Sequence, residues 1–236
     1  MSVANGIRSC TDTAEMSWIA PQLRPFADGV GSFVPPVFDA YARLLHPAEG
    51  EGGSPIRWAE VAAWSGGTIH ALVQWMPMAR GRLATTARPF VAPPADGRLT
   101  PDTLAALCDL LASHTATPDL CYFGVWEGYG WVPQEARPPA HLELPERTHL
   151  MFRGPLGSVQ EIGSHLGGFF RQESPSLMFP SDRSWFVATE VDLDSTYVGG
   201  SRELIGAILE DERLEAWPVS PTDPIDAGSD PINRSA

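Results

Sequence analysis

Apolar residues alternate with others from Ser184 to Leu193, a period-two pattern that predicts the clearest strand in the chain. Trp185, Val187, Thr189, Val191 and Leu193 share one face, and Phe186, Ala188, Glu190, Asp192 and Asp194 the other. Two more runs, Leu120 to Trp126 and Thr148 to Phe152, are rich in aromatic and aliphatic residues and also predict strands, and Leu214 to Val219 predicts an edge strand. Helical spacing appears elsewhere. Leu104, Leu107, Cys108 and Leu111 line one face behind Thr100-Pro101-Asp102, which supplies an N-cap hydroxyl, Pro at the first helical position and an acid in the first turn. Leu204, Ile205, Ile208 and Leu209 predict a second amphipathic helix opening at Ser201, and Trp58, Val61 and Ala62 a short one ended by Gly66-Gly67. Val37, Tyr41, Leu44 and Leu45 give a helical reading to residues 36–46, and Ile162, Leu166 and Phe169 give one to 159–170.

Helices thus crowd the first half and strands the second, which predicts an α+β fold with a mainly antiparallel sheet in the C-terminal half, packed by helices. Residues 1–30 lack sustained periodicity and are expected to be a loosely ordered arm; 31–219 form one domain; and 220–236, acidic and Pro-rich, are expected to be a mobile tail.

Charge narrows the classes of partner. The formal net charge is −13, all sixteen basic residues are Arg, and the tightest basic group (Arg80, Arg82, Arg88) is sparse, so neither nucleic acid nor an anionic membrane is an expected partner. No apolar run approaches the roughly 18 residues that span a bilayer, and the N-terminal residues have no apolar core of a secretory signal, so the expected location is cytoplasmic. Cys10, Cys108 and Cys121 form no metal or disulfide spacing and are read as reduced thiols, the last two inside apolar patterns.

The candidate chemistry lies in residues 190–204, EVDLDSTYVGGSREL. If the strand continues through it, Glu190, Asp192 and Asp194 present three carboxylates on one side, a set that suits a hard divalent cation or acid–base work. The plainer reading is a strand whose outer face turns polar as it leaves the core. Gly199, Gly200 and Ser201 either offer backbone N–H groups to a ligand or simply turn the chain into a capped helix. Neither a Walker A loop nor GxGxxG is present, and the six histidines show no zinc spacing. Tyr129 and Trp131, in the glycine turn EGYGW, either contact a ligand or partner or plug the core.

The segment SPSLMFPSDRSWFVATEVDLDSTYVGGSRELIGAILEDERLEAWPV resembles the C-terminal part of a group of uncharacterised actinobacterial proteins, and HPAEGEGGSPIRWAEVAAWSGGTIH is similar to an N-terminal motif of that group. The likeness covers much of residues 33–219, and the absence of Lys fits such a source. In element order alone the chain is also similar to the SUKH superfamily of α+β proteins, many of them immunity or regulatory partners; no functional residue carries over. The expectation is a non-enzymatic domain, without a cofactor, that binds a basic protein by charge complementarity in an immunity or regulatory role. The alternatives are a metal-assisted hydrolase or transferase built on Glu190, Asp192 and Asp194, and a small-ligand binding protein using Tyr129 and Trp131.

Overall fold

The computed structural model describes residues 6–80, 85–166 and 168–234. In chain order its strands are β1 (Arg8–Ser9), β2 (Ala40–Leu45), β3 (Ala48–Glu49), β4 (Pro55–Ile56), β5 (Cys121–Trp126), β6 (His141–Leu144), β7 (Arg147–Gly154), β8 (Gly163–Leu166), β9 (Phe169–Gln172), β10 (Leu177–Pro180), β11 (Phe186–Thr189), β12 (Ser195–Gly200) and β13 (Ala216–Val219). The helices are α1 (Trp58–Ser65), α2 (Trp75–Met78), α3 (Pro101–Ala112) and α4 (Arg202–Glu210). Nine strands build one antiparallel sheet: β7, β5, β10, β11, β12, β2 and β13 lie side by side, with β1 and β6 sharing the outer edge of β7. The fold is α+β, as the element pattern predicts. None of the described helices is long and apolar enough to cross a membrane.

The sheet is buried on both faces, and the strand alternation shows how. Phe123, Phe152, Val187 and Val198 point to one side, against Leu104, Leu107 and Leu111 of α3 and Leu204, Ile205 and Ile208 of α4. Their neighbours Tyr122, Met151, Phe186 and Tyr197 point to the other side, against Met16, Ile19, Val30 and Val34. Residues 7–34 are therefore no loose arm: Ile19 and Val34 are inaccessible to solvent, and this segment is the second layer that a two-faced sheet requires. A third cluster joins Trp58 and Val61 of α1 to Trp75, Met78 and Phe90. The C-terminal segment is docked as well, with Ile225, Asp230 and Asn233 buried; residues 235–236 lie outside the described ones.

Residues 36–46 are not helical. Ala40–Leu45 is β2, paired with β12 on one side and β13 on the other. Tyr41 to Leu45 are all buried, Arg43 among them, so burial on both faces leaves no strand-like alternation of apolar and polar residues. The helix expected over 159–170 is a 3-10 segment (Leu156–Glu161) followed by the β8–β9 hairpin. The predicted strand 184–193 ends at Thr189. By contrast α3 begins as its cap predicts, with Thr100 Oγ1 accepting from the Thr103 amide at 3.3 Å. Helix α1 stops at Gly66, whose φ of 77° is the left-handed turn that glycine adopts freely. Ser201 caps α4 by accepting from the Leu204 amide at 3.2 Å. Ser201→Ala should cost about 1 kcal/mol, read as a lowered urea midpoint with an unchanged slope.

Candidate functional site

The three acids of the opening pattern lie on the connection between β11 and β12, residues 190–194, where the Leu193 amide donates to the Glu190 carbonyl at 3.1 Å. Off the strand, alternation no longer aligns them. Two arginines from different strands take them instead. Arg147, at the start of β7, donates to Glu190 Oε1 through Nε (3.0 Å) and Nη2 (2.7 Å), and Nη2 also reaches Asp192 Oδ2 at 2.7 Å. Arg43, on central strand β2, lies 3.5 Å from Asp194 Oδ1, which also accepts from Ser195 Oγ at 3.0 Å. The metal reading therefore loses its premise of three carboxylates on one strand face. Among the described residues no three His, Cys, Asp or Glu side chains are grouped to hold an ion. Burial raises the Glu190 carboxyl and the Asp192 charge adds to the rise, while Arg147 opposes both.

A residue that sequence reasoning passed over completes the acidic group. The loop carrying Asp96 is stitched onto the turn: the Gly97 amide donates to the Leu193 carbonyl at 2.9 Å, and Tyr129 Oη donates to the Gly97 carbonyl at 2.8 Å. A Cβ at Gly97 would fall 2.6 Å from Tyr129 Oη and 2.7 Å from Val191 Cα, and φ there is +65°, so only glycine permits this approach. Buried His46 holds the loop from the other side, with Nδ1 2.8 Å from the Ala95 carbonyl and Nε2 2.9 Å from Thr196 Oγ1. Burial pushes the His46 imidazole down to about 4, so the ring is neutral. The Asp96 carboxyl is raised by partial burial and then by the Asp194 and Asp192 charges, so the three carboxylates sense one another.

Asp96 and the 192–194 part of the acidic turn line a cleft of about 600 Å³. Asp96, Asp192, Leu193 and Asp194 form one wall, Trp75, Met76 and Pro77 another, and Asp226 and Ala227 of the C-terminal segment a third, with Arg80 and Arg234 also at the lining. Met76 is 73% exposed, an apolar side chain presented to solvent at an acidic rim. Arg82, from the sparse basic group, lies outside the described residues, and Arg88 stacks on Phe90 at 5.0 Å.

The other candidates have structural places. Tyr129 meets Trp126 edge-on at 5.3 Å and packs with Trp131 against the main core, so the glycine turn is a plug. Gly199 and Gly200 are not a turn but strand residues of β12, paired to β2. A Cβ at Gly199 would lie 2.6 Å from the Phe38 ring, and one at Gly200 2.7 Å from Leu204, so close packing explains both glycines. Ser201 acts as the helix cap. Burial pushes the Cys108 and Cys121 thiols up to about 12 and Cys10 to about 11, which keeps all three protonated and unsuited to nucleophilic attack. No family model, curated protein or solved structure matches the chain.

Proposed function

We propose that this protein is a binding domain that takes a basic protein surface into the acidic cleft, without covalent chemistry, in an immunity or regulatory role. The observation that carries the reading is the convergence of Asp96, Asp192, Asp194 and Asp226 on one cleft beside exposed Met76. Arg147 and Arg43 hold Asp192 and Asp194 in place, so an incoming cation meets carboxylates that are already positioned. A guanidinium or ammonium group flanked by an apolar side chain matches this lining, and the net charge of −13 would steer such a partner from a distance.

Calorimetric titration with an Arg-rich peptide, and with a Glu-rich peptide of equal length, tests the reading. The Arg-rich peptide should bind, more weakly as salt rises, and Asp96→Asn combined with Asp226→Asn should weaken it about tenfold at low salt. These two positions are chosen because neither forms a salt bridge among the described residues, and Asn at 226 keeps the Oδ1 that accepts from the Gly228 amide at 2.7 Å. Equal behaviour of the two peptides, or no effect of the double substitution, would sink the proposal.

A further inference from the structure

Behind the acidic turn, between the sheet and the N-terminal layer, lies a second cavity of about 20 Å³ that the cleft does not include. Phe26 and Phe33 form its outer side, and His149, Ser176, Arg147 and Glu190 bring polar groups to it. His149 is 3% exposed, and its Nδ1 is inaccessible and has no protein partner. A buried imidazole nitrogen left unanswered destabilises the fold, so Nδ1 is a place where a partner from outside the chain would stabilise it. The space decides its size. A cavity needs roughly 10–15 Å³ by this measure to admit a water, and the water needs two to four polar partners. This one is large enough for one water and too small for an organic ligand.

We propose that the cavity is a hydration site holding one ordered water, which bridges His149 Nδ1 to the Glu190 carboxylate and the Ser176 hydroxyl. Water suits the site because it can donate or accept, and so answers Nδ1 in either tautomer of the neutral ring. The ring is neutral because burial, and then the Arg147 charge, push it down to about 4 against a backbone hydrogen bond from the ring to Leu142. The site acts on the acidic turn through one atom. Arg147 Nη2 lies 2.7 Å from both Glu190 Oε1 and Asp192 Oδ2, so a water that fixes the Glu190 carboxylate from the inside also fixes the guanidinium that holds Asp192 at the cleft rim. The inference is independent of what the cleft binds.

Two measurements on the full chain test it. A crystal structure at high resolution, with a second crystal under xenon pressure, should show a water within hydrogen-bonding distance of His149 Nδ1 and no xenon in the cavity. Xenon density, or a dry cavity, would overturn the proposal, because a dry cavity takes xenon. In solution, long-range ¹H–¹⁵N correlation on ¹⁵N-histidine protein should report His149 Nδ1 as hydrogen-bonded, with a cross-relaxation peak to water. Phe26→Ala, which removes the half-exposed part of the outer wall, should speed that water's exchange and move the His149 titration up by about one unit. A free-nitrogen shift for Nδ1 in the wild type, or a His149 titration unchanged in Phe26→Ala, would count against the site; folding of the variant is checked by its amide spectrum.

Discussion

Arg43→Ala should lower folding stability by about 3–5 kcal/mol, the range for removing one partner of a buried ion pair. Arg43 sits on β2, between β12 and β13, and is 3% exposed. Its guanidinium donates to Ser195 Oγ at 2.9 Å, to the Val73 carbonyl at 2.7 Å and to the Ala71 carbonyl at 3.2 Å, and it faces Asp194. It also lies 5.8 Å from the Trp58 ring centre, in the third core cluster. One side chain thus ties the sheet to the 71–73 loop and the acidic turn. Truncation removes this donor from the Ala71 and Val73 carbonyls and from Ser195 Oγ, leaves the Asp194 carboxylate with Ser195 Oγ as its donor, and opens a cavity beside Trp58. Arg43→Lys should recover only part of the loss, because a compact ammonium lacks the planar fork that reaches Ser195 on one side and the 71–73 carbonyls on the other. Urea denaturation followed by tryptophan fluorescence checks both variants; a loss below about 1 kcal/mol for Arg43→Ala would show the network to be dispensable.

Asp230→Ala should cost about 2–3 kcal/mol and release the C-terminal segment, because a buried acceptor of several N–H groups is lost. The Asp230 side chain is inaccessible and meets five donors: His70 Nε2 at 3.0 Å, the Gln74 and Ile232 amides at 3.0 Å, and the Asn233 amide and Nδ2 at 2.8 Å. Asn233 completes the clasp by exchanging hydrogen bonds with the Thr68 backbone. Burial pushes the Asp230 carboxyl up, but the hydrogen bonds from Asn233, Gln74 and His70 outweigh it and bring it from 3.8 down to about 2. The unfolded chain therefore takes up this proton before the folded one does. The stabilisation is full above pH 4 and is lost as pH falls through about 2. His46 and His149 act in a separate window: their folded values near 4 lie below the ordinary 6.5, so stability falls as pH drops from 6.5 towards 4. Limited proteolysis should cut Asp230→Ala within residues 221–234 at neutral pH while wild type resists. An acid titration of stability should show the step between pH 4 and 2 flattened in the variant. Equal proteolysis of the two proteins would mean that the clasp does not hold the segment.

The contrast between α3 and β2 shows which parts of the fold could be read from the chain. Thr100-Pro101-Asp102 and the spacing of Leu104, Leu107 and Leu111 are local signals, and the helix follows them. Strand β2 has no such signal, because burial on both faces removes the alternation that marks a strand. The N-terminal layer was illegible for a related reason. Residues 7–34 make only the two-residue β1 and short 3-10 turns, so no period announces that Met16, Ile19 and Val34 cover a sheet. In the candidate site, the acids of residues 190–194 were visible as composition. Their pairing with Arg147 and Arg43, 43 and 151 positions away, was not. Asp96 was hidden because it sits in an irregular Pro-rich connection and gains its place only through Gly97, Tyr129 and His46.

By itself the sequence determined the α+β class, the capped helices α3 and α4, the edge position of β13 and the acidic balance, all of which rest on local propensity, period and charge count. Tertiary structure alone decided that the sheet has two covered faces, that the C-terminal segment is clasped, and that four separated aspartates share one cleft. The physical reason is distance along the chain. A helix cap acts within four residues, whereas a guanidinium group or a backbone carbonyl chooses its partner only after the sheet has brought remote strands together.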